Sequence, residues 1–245
     1  MWRIVLRLSL KGRLKLLADK VPKCNVAADI GTDHAYIPIY LIQQGVCKKA
    51  IASDVKIGPV KVAEKNINSY KMSNQIETRL GSGLDTICEN EADTIIIAGM
   101  GGTLLSELLE ANTKKACAAA SLILQPMNDL DVVRKWLFEH KFDIYDEELA
   151  AEGEKVYCVI SAKYDGNARC YEEFQLHVGG KLIKKEDPLL LKYCEIKVSQ
   201  IDRVLGQLED MEDNSSLQGY YTELKKNYMN LIKQIELREQ KSIEI

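Results

Sequence analysis

The stretch Asp29-Ile30-Gly31-Thr32-Asp33-His34-Ala35-Tyr36 gathers two carboxylates, an imidazole and a phenol around one glycine. The apolar run Val26 to Ile30 feeds into it, so a strand should end there and a helix begin. Turns of this kind cradle nucleotides. A dinucleotide's pyrophosphate needs bare backbone at the helix N-terminus. Here the glycines after Gly31 are missing, and Asp33 would set negative charge against phosphate. S-adenosylmethionine has no phosphate and carries an ammonium, a sulfonium and a carboxylate, so acids beside it are favourable. The loop therefore suits S-adenosylmethionine better than NAD, and Asp29, Gly31 and His34 are its candidate contacts.

Three further strand-end motifs fall in order. Asp54 closes the run Ala50 to Val55, about the distance past the first glycine at which an acid holds ribose hydroxyls. Gly81-Ser82-Gly83-Leu84 follows the alternating run Ile76 to Leu80 and is placed for the adenine edge and face. Ala98-Gly99-Met100-Gly101-Gly102 follows Thr94 to Ala98, where amino-directed DNA methyltransferases often carry Asp/Asn-Pro-Pro-aromatic. Its glycines allow close backbone approach to cofactor or base.

These turns need a frame that brings strand ends together. Leu10, Leu14, Leu17 and Val21 recur at helical spacing and Pro22 ends that helix. Strand-like and helix-like runs then alternate. Pro38 fits the first turn of one helix and Gly45 its C-terminal cap. Val60, Ala63, Ile67 and Tyr70 share a face of the next. Thr94 to Ala98 reads as a strand buried on both faces. Leu122 to Leu124 is a fifth strand, closed by Gln125-Pro126, and Asn128 or Asp129 can cap the following helix. Phe142 to Leu149 and Val156 to Ala162 read as an antiparallel pair at the sheet edge. The expected fold is α/β, Rossmann-like, with a mostly parallel seven-stranded sheet over residues 1–165. Ligands of such sheets sit beyond the C-terminal strand ends where the strand order switches.

Residues 166–245 change pattern. Cys194, Val198, Ile201, Leu205 and Leu208 step by four and three, as do Leu217, Tyr221, Leu224, Tyr228, Leu231 and Ile235. This predicts a second, helical domain built as an antiparallel coiled-coil-like hairpin. The 245 residues carry a formal charge of -3, so nucleic acid would have to meet a local basic patch. Arg3, Arg7, Lys11, Arg13 and Lys15 could form one, with Lys181, Lys184 and Lys185. Seven scattered cysteines without a C-x-x-C pair argue for a reducing cytoplasm, and three histidines without H-x-x-x-H spacing give no metal site. No apolar stretch is long enough to span a bilayer.

Over nearly its whole length the chain resembles the bacterial tRNA (adenine-22-N1)-methyltransferases, the TrmK family. The resemblance rests on "ADIGTDHAYIPIYL", "AIASDVKIGP", "IIIAGMGGTL", "LILQP" and Arg134-Lys135-Trp136-Leu137. It implies a class I methyltransferase domain followed by a helical tRNA-contacting domain, with methyl transfer from S-adenosylmethionine to adenine N1. It implies Asp33 as the catalytic acid, and Tyr36, Gln125, Pro126, Arg7, Lys11 and Arg13 on the substrate side. Ser82 stands where members commonly carry Asp, Asp54 where many carry Glu, and Met127 where Asn is usual. A cytoplasmic monomer is expected. The alternatives are a methyltransferase acting on another RNA, a protein or a small molecule, and a non-catalytic binding protein that keeps the fold.

Overall fold

A computed structural model describes residues 7–209 and 215–243. Arg3 and positions 210–214 of the link between the two helical runs lie outside the described residues. The chain divides into two compact units between Tyr171 and Glu172.

The first unit runs α1 (Gly12–Lys20), β1 (Cys24–Ile30), α2 (Tyr36–Gln43), β2 (Cys47–Asp54), α3 (Ile57–Ser69), β3 (Ile76–Leu80), β4 (Thr94–Met100), α4 (Gly102–Ala111), α5 (Thr113–Ala118), β5 (Ser121–Pro126), α6 (Leu130–Glu139), β6 (Phe142–Glu152) and β7 (Lys155–Tyr164). Its seven strands lie in the order β3-β2-β1-β4-β5-β7-β6. All the pairings from β3 to β5 are parallel, while β7 runs antiparallel to both its neighbours. The switch point is between β1 and β4, and the loops after these strands flank it.

Burial explains the order. Ile95, Ile96 and Ile97 of β4 are all shut off from solvent, as a central strand covered on both faces requires. Ile96 joins one core with Leu17 of α1, Ile39 and Leu41 of α2, and Ala63 and Ile67 of α3. Ile95 and Ile97 point to the opposite face by the pleat. There α4 and α6 pack together and bury Leu105, Leu109, Val133 and Leu137. Gly45 takes the left-handed conformation just past α2, as a helix end prefers.

The edge hairpin is longer than the sequence suggests, and its second strand inserts between β5 and β6. Residues 166–171 also stay with the first unit, six beyond the expected boundary. Arg169 pairs with Asp165 and Asp143, and Tyr171 stacks on Phe138 at 5.2 Å. These contacts tie the segment to β6 and α6 after the sheet has ended.

Asn128 and Asp129 do not cap α6, whose N-cap Asp129 makes no side-chain cap bond. Asn128 Oδ1 instead accepts the Gly102 N–H at 3.2 Å, and Asp129 Oδ2 accepts the Thr103 hydroxyl at 3.2 Å. Both reach back to the start of α4 because the loops after β4 and β5 lie side by side.

The second unit runs α7 (Glu173–Val178), α8 (Gly180–Lys184), α9 (Leu190–Glu209) and α10 (Ser215–Ile243). α9 and α10 pack as an antiparallel pair, with Lys225 on Asp202 at 2.6 Å. Cys194, Ile201, Leu208, Tyr228 and Leu231 are buried as the spacing demands. Leu217 departs from the expected seam and is exposed, while Ile232 is buried. Among the described residues no helix is long and apolar enough to cross a membrane.

Candidate active site

The loop after β1 and the end of β4 border a cleft of about 380 Å³. Asp29, Gly31, Asp33, His34, Tyr36, Ala98 and Gly99 line it, with Arg13 of α1. Asp29 lies one residue before the end of β1, with only a trace of its surface exposed. Burial raises its carboxyl to about 6; the Thr32 hydroxyl opposes the rise and the nearby charge of Asp54 adds to it. A hydroxyl can donate once and still accept. Thr32 Oγ1 accordingly accepts the Ala35 N–H at 3.1 Å while it bonds Asp29.

That second bond shapes the loop. Ala35 sits at φ 56, a left-handed conformation that costs an alanine about 1–2 kcal/mol. It is fully buried and its carbonyl opens α2 by accepting the Ile39 N–H at 3.0 Å. The turn places Asp33 outward, with His34 Nε2 3.0 Å from Asp33 Oδ2. The His34 and Tyr36 rings stack at 5.0 Å with 16° between their planes. Asn66 of α3 clamps the loop by donating to the His34 carbonyl at 3.0 Å.

Neighbouring strand ends continue the rim. Gly31 and Thr32 each donate a backbone N–H to the Ser53 carbonyl at 2.8 Å, and Gly81 donates to the Asp54 carbonyl at 3.0 Å. Asp54 and Gly81 thus stand beside the glycine turn. Gly99 has φ 77, and a Cβ there would meet no atom within 4 Å, so its bareness opens directly onto the cleft. Gly102 needs its missing side chain for another reason: a Cβ would lie 2.3 Å from the Asp129 carbonyl oxygen.

Residues 10–160 match the model of the methyltransferase domain family. The tRNA (adenine(22)-N(1))-methyltransferase of Bacillus subtilis (strain 168) is 32% identical over 232 residues, covering 93% of this chain and 97% of that protein. The chain belongs to the TrmK family. The crystal structure of the B. subtilis M1A22 tRNA methyltransferase TrmK superposes with a TM-score of 0.80 at 31% identity, covering 94% of this chain and 99% of that one. The M. capricolum TrmK structure, in complex with S-adenosyl-homocysteine, gives 0.75 at 27% identity, over 93% and 98% of the two chains.

Against the TrmK pattern the predicted residues separate into three groups. The turn after β1 and the Ala98–Gly99 pair line the cleft, while Asp54 and Gly81 stand beside that turn and outside the lining. Met100 ends β4 and Gly101 follows it, with Met100 Cε beside Gly31 and Gly101 beside Asn128. Ser82 is exposed and Gly83 half-buried at the start of a short 3₁₀ turn. The second group is turned inward. Leu84 is fully buried, and its carbonyl accepts from Lys115 Nζ at 2.9 Å, so its side chain belongs to the core. Gln125 and Pro126 are buried too, with Gln125 Nε2 donating to the Pro126 carbonyl at 3.0 Å.

The third group is the basic set. Arg7 and Lys11 are exposed and lie outside the cleft lining. Arg13 is a wall of the cleft. Its Nη1 donates to Gln125 Oε1 at 3.0 Å, its Nε lies 3.4 Å from Glu152 Oε2, and its guanidinium covers Tyr157 at 5.4 Å. Glu152 also accepts the Arg13 backbone N–H at 2.9 Å, which fastens the start of α1 to the end of β6. Lys15 is engaged by Asp19 rather than free. The sequence gives no sign of the partners of Arg13, because each is far along the chain.

Proposed function

We propose that this chain transfers a methyl group from S-adenosyl-L-methionine to N1 of adenine 22 of tRNA. The observation that carries the reading is the charge pattern across one cleft at the β1–β4 switch point. A buried acid, Asp29, stands with an anchored guanidinium, Arg13, in the same lining. A zwitterionic amino-acid moiety matches that pair, its ammonium toward Asp29 and its carboxylate toward Arg13. Asp54 would hold the ribose hydroxyls and the Gly81–Gly83 turn the adenine. When bound, the cofactor supplies an electrophilic methyl group on a sulfonium sulfur.

The chain's own residues then position and stabilise. Neutral adenine presents N1 with a free lone pair, so no base need remove a proton before transfer. Alignment is the main requirement, and it can be worth about 7–11 kcal/mol in favourable cases. As positive charge grows on the adenine ring, the Asp33 carboxylate stabilises it and can accept from the exocyclic amine. His34, at 3.0 Å, holds Asp33 in place. The stacked Tyr36 offers the base a flat apolar face beside it.

We assign the first unit, which ends at Tyr171, to catalysis and the helical unit that begins at Glu172 to tRNA contact. The coiled-coil-like seam closes between α9 and α10 of one chain, which supports a monomer. The reading places the enzyme in the cytoplasm with its tRNA. Titration calorimetry with S-adenosyl-L-methionine tests the site: binding at one site per chain, lost in Asp29→Ala, is expected. Full binding by Asp29→Ala would overturn the assignment of the cleft.

A further inference from the structure

Cys24 and Cys47 open β1 and β2 and face each other as the first register pair of these parallel strands. Register partners direct their side chains to the same face of a sheet. Their Cα atoms are separated by the strand spacing of about 4.8 Å, inside the range of about 4.4–6.8 Å that a disulfide spans. Cys24 is half-buried and Cys47 is buried. The methyl-transfer reading uses neither. We propose that Cys24 and Cys47 form a peroxide-sensitive dithiol that closes reversibly to a disulfide.

The two thiols are unequal, which orders the chemistry. The interaction with the Cys47 thiol lowers the Cys24 thiol below its ordinary value, against burial and the nearby Asp93 charge, which would raise it. Cys47 is raised, first by the same interaction and then by burial. Cys24, half-buried where Cys47 is buried, is also the thiol that peroxide reaches first, and it is the nucleophile. Its thiolate attacks one peroxide oxygen, the O–O bond breaks, and the departing hydroxide takes a solvent proton. The product is the Cys24 sulfenic acid and water. The charge that held Cys47 protonated is then gone. The Cys47 sulfur attacks the Cys24 sulfur, the S–O bond breaks, and hydroxide leaves with the Cys47 proton as a second water. Two thiols and one peroxide become one disulfide and two waters.

Reversibility also has a geometric cause. Side chains on parallel strands stay near the strand spacing, wider than the Cβ separation of about 3.8 Å that a relaxed disulfide prefers. A stretched bridge is more oxidising and opens readily to a dithiol. The other cysteines differ: Cys194 is buried with its thiol pushed up to about 12, while Cys88 and Cys170 are exposed.

No Lys or Arg lies between Cys24 and Cys47, so one tryptic peptide, 24–48, carries both. The folded chain is treated with hydrogen peroxide, then denatured, alkylated and digested. Peptide 24–48 should lack two hydrogens and take up no alkyl group, and dithiothreitol should restore both thiols. In Cys47→Ala, Cys24 should stop at a sulfenic acid that dimedone traps. In Cys24→Ser, Cys47 should stay alkylatable. Two alkylated thiols in peptide 24–48, after peroxide has oxidised Cys88, would overturn the proposal. So would loss of Cys47 in Cys24→Ser. The readout is mass, independent of methyl transfer.

Discussion

Asp29 and Asp54 lie at the C-terminal ends of neighbouring parallel strands, and the charge of Asp54 adds to burial in holding the Asp29 carboxyl at about 6. A free aspartate ionises near 3.9. Between about 3.9 and about 6 the folded chain therefore binds the extra proton, so stability is lost as pH rises through that window. The loss at Asp29 is on the order of 3 kcal/mol. Asp29→Asn should flatten this slope in urea denaturation. Cofactor binding should run the other way. An ammonium is held by the ionised form, so affinity should fall as pH drops below about 6, by up to about tenfold per unit. Calorimetry across that window checks it, and a pH-independent affinity would contradict the role of Asp29.

Arg13 and Lys11 lie two residues apart yet should report different things. Arg13→Ala should weaken cofactor binding and leave the salt dependence of tRNA binding unchanged, because Arg13 is a cleft wall. Lys11→Ala should leave cofactor binding unchanged and reduce the slope of log K against log salt by about one phosphate contact. Filter binding across a salt series separates the two.

The glycines Gly99 near the end of β4 and Gly102 at the start of α4 should also separate. Gly99→Ala meets open space and only the left-handed backbone opposes it, at about 1–2 kcal/mol. The variant should fold and lose cofactor affinity. Gly102→Ala drives a Cβ into backbone oxygen at 2.3 Å, where no side chain can yield. It should cost about 1–3 kcal/mol of stability, as other overpacked sites do. Urea denaturation of both variants tests the contrast.

Arg134 and Glu147 form an ion pair at 2.7 Å with both side chains almost wholly buried. Arg134→Met alone strands a buried carboxylate and should cost about 3–5 kcal/mol. Arg134→Met with Glu147→Leu should recover much of that loss. A double variant no more stable than the single would show that the pair itself, not the stranded charge, sets the cost.

Much of the sheet is legible in the sequence because burial writes itself locally. The β-branched run of β4 and the spacing of Ala63 and Ile67 on α3 need no distant partner to be read. The place of β7 between β5 and β6 is different, since an edge hairpin can dock by either strand. Asp29, Asp33 and Gly99 are legible because a strand end, a glycine and an acid adjoin in sequence. Arg13 is not, because Gln125 and Glu152 define its role from more than a hundred residues away. Leu84 and Gln125 show the same limit: a motif gives position, and only packing says that their side chains turn inward.

The most direct test is transfer of labelled methyl from S-adenosyl-L-methionine to unmodified tRNA transcripts with adenine or guanine at position 22. Incorporation should require adenine. It should fall on the order of 10²-fold in Asp33→Ala, as when a charge-stabilising group is removed, while cofactor binding persists. Equal incorporation into both transcripts, or none despite cofactor binding, would contradict adenine-22 methylation by this cleft.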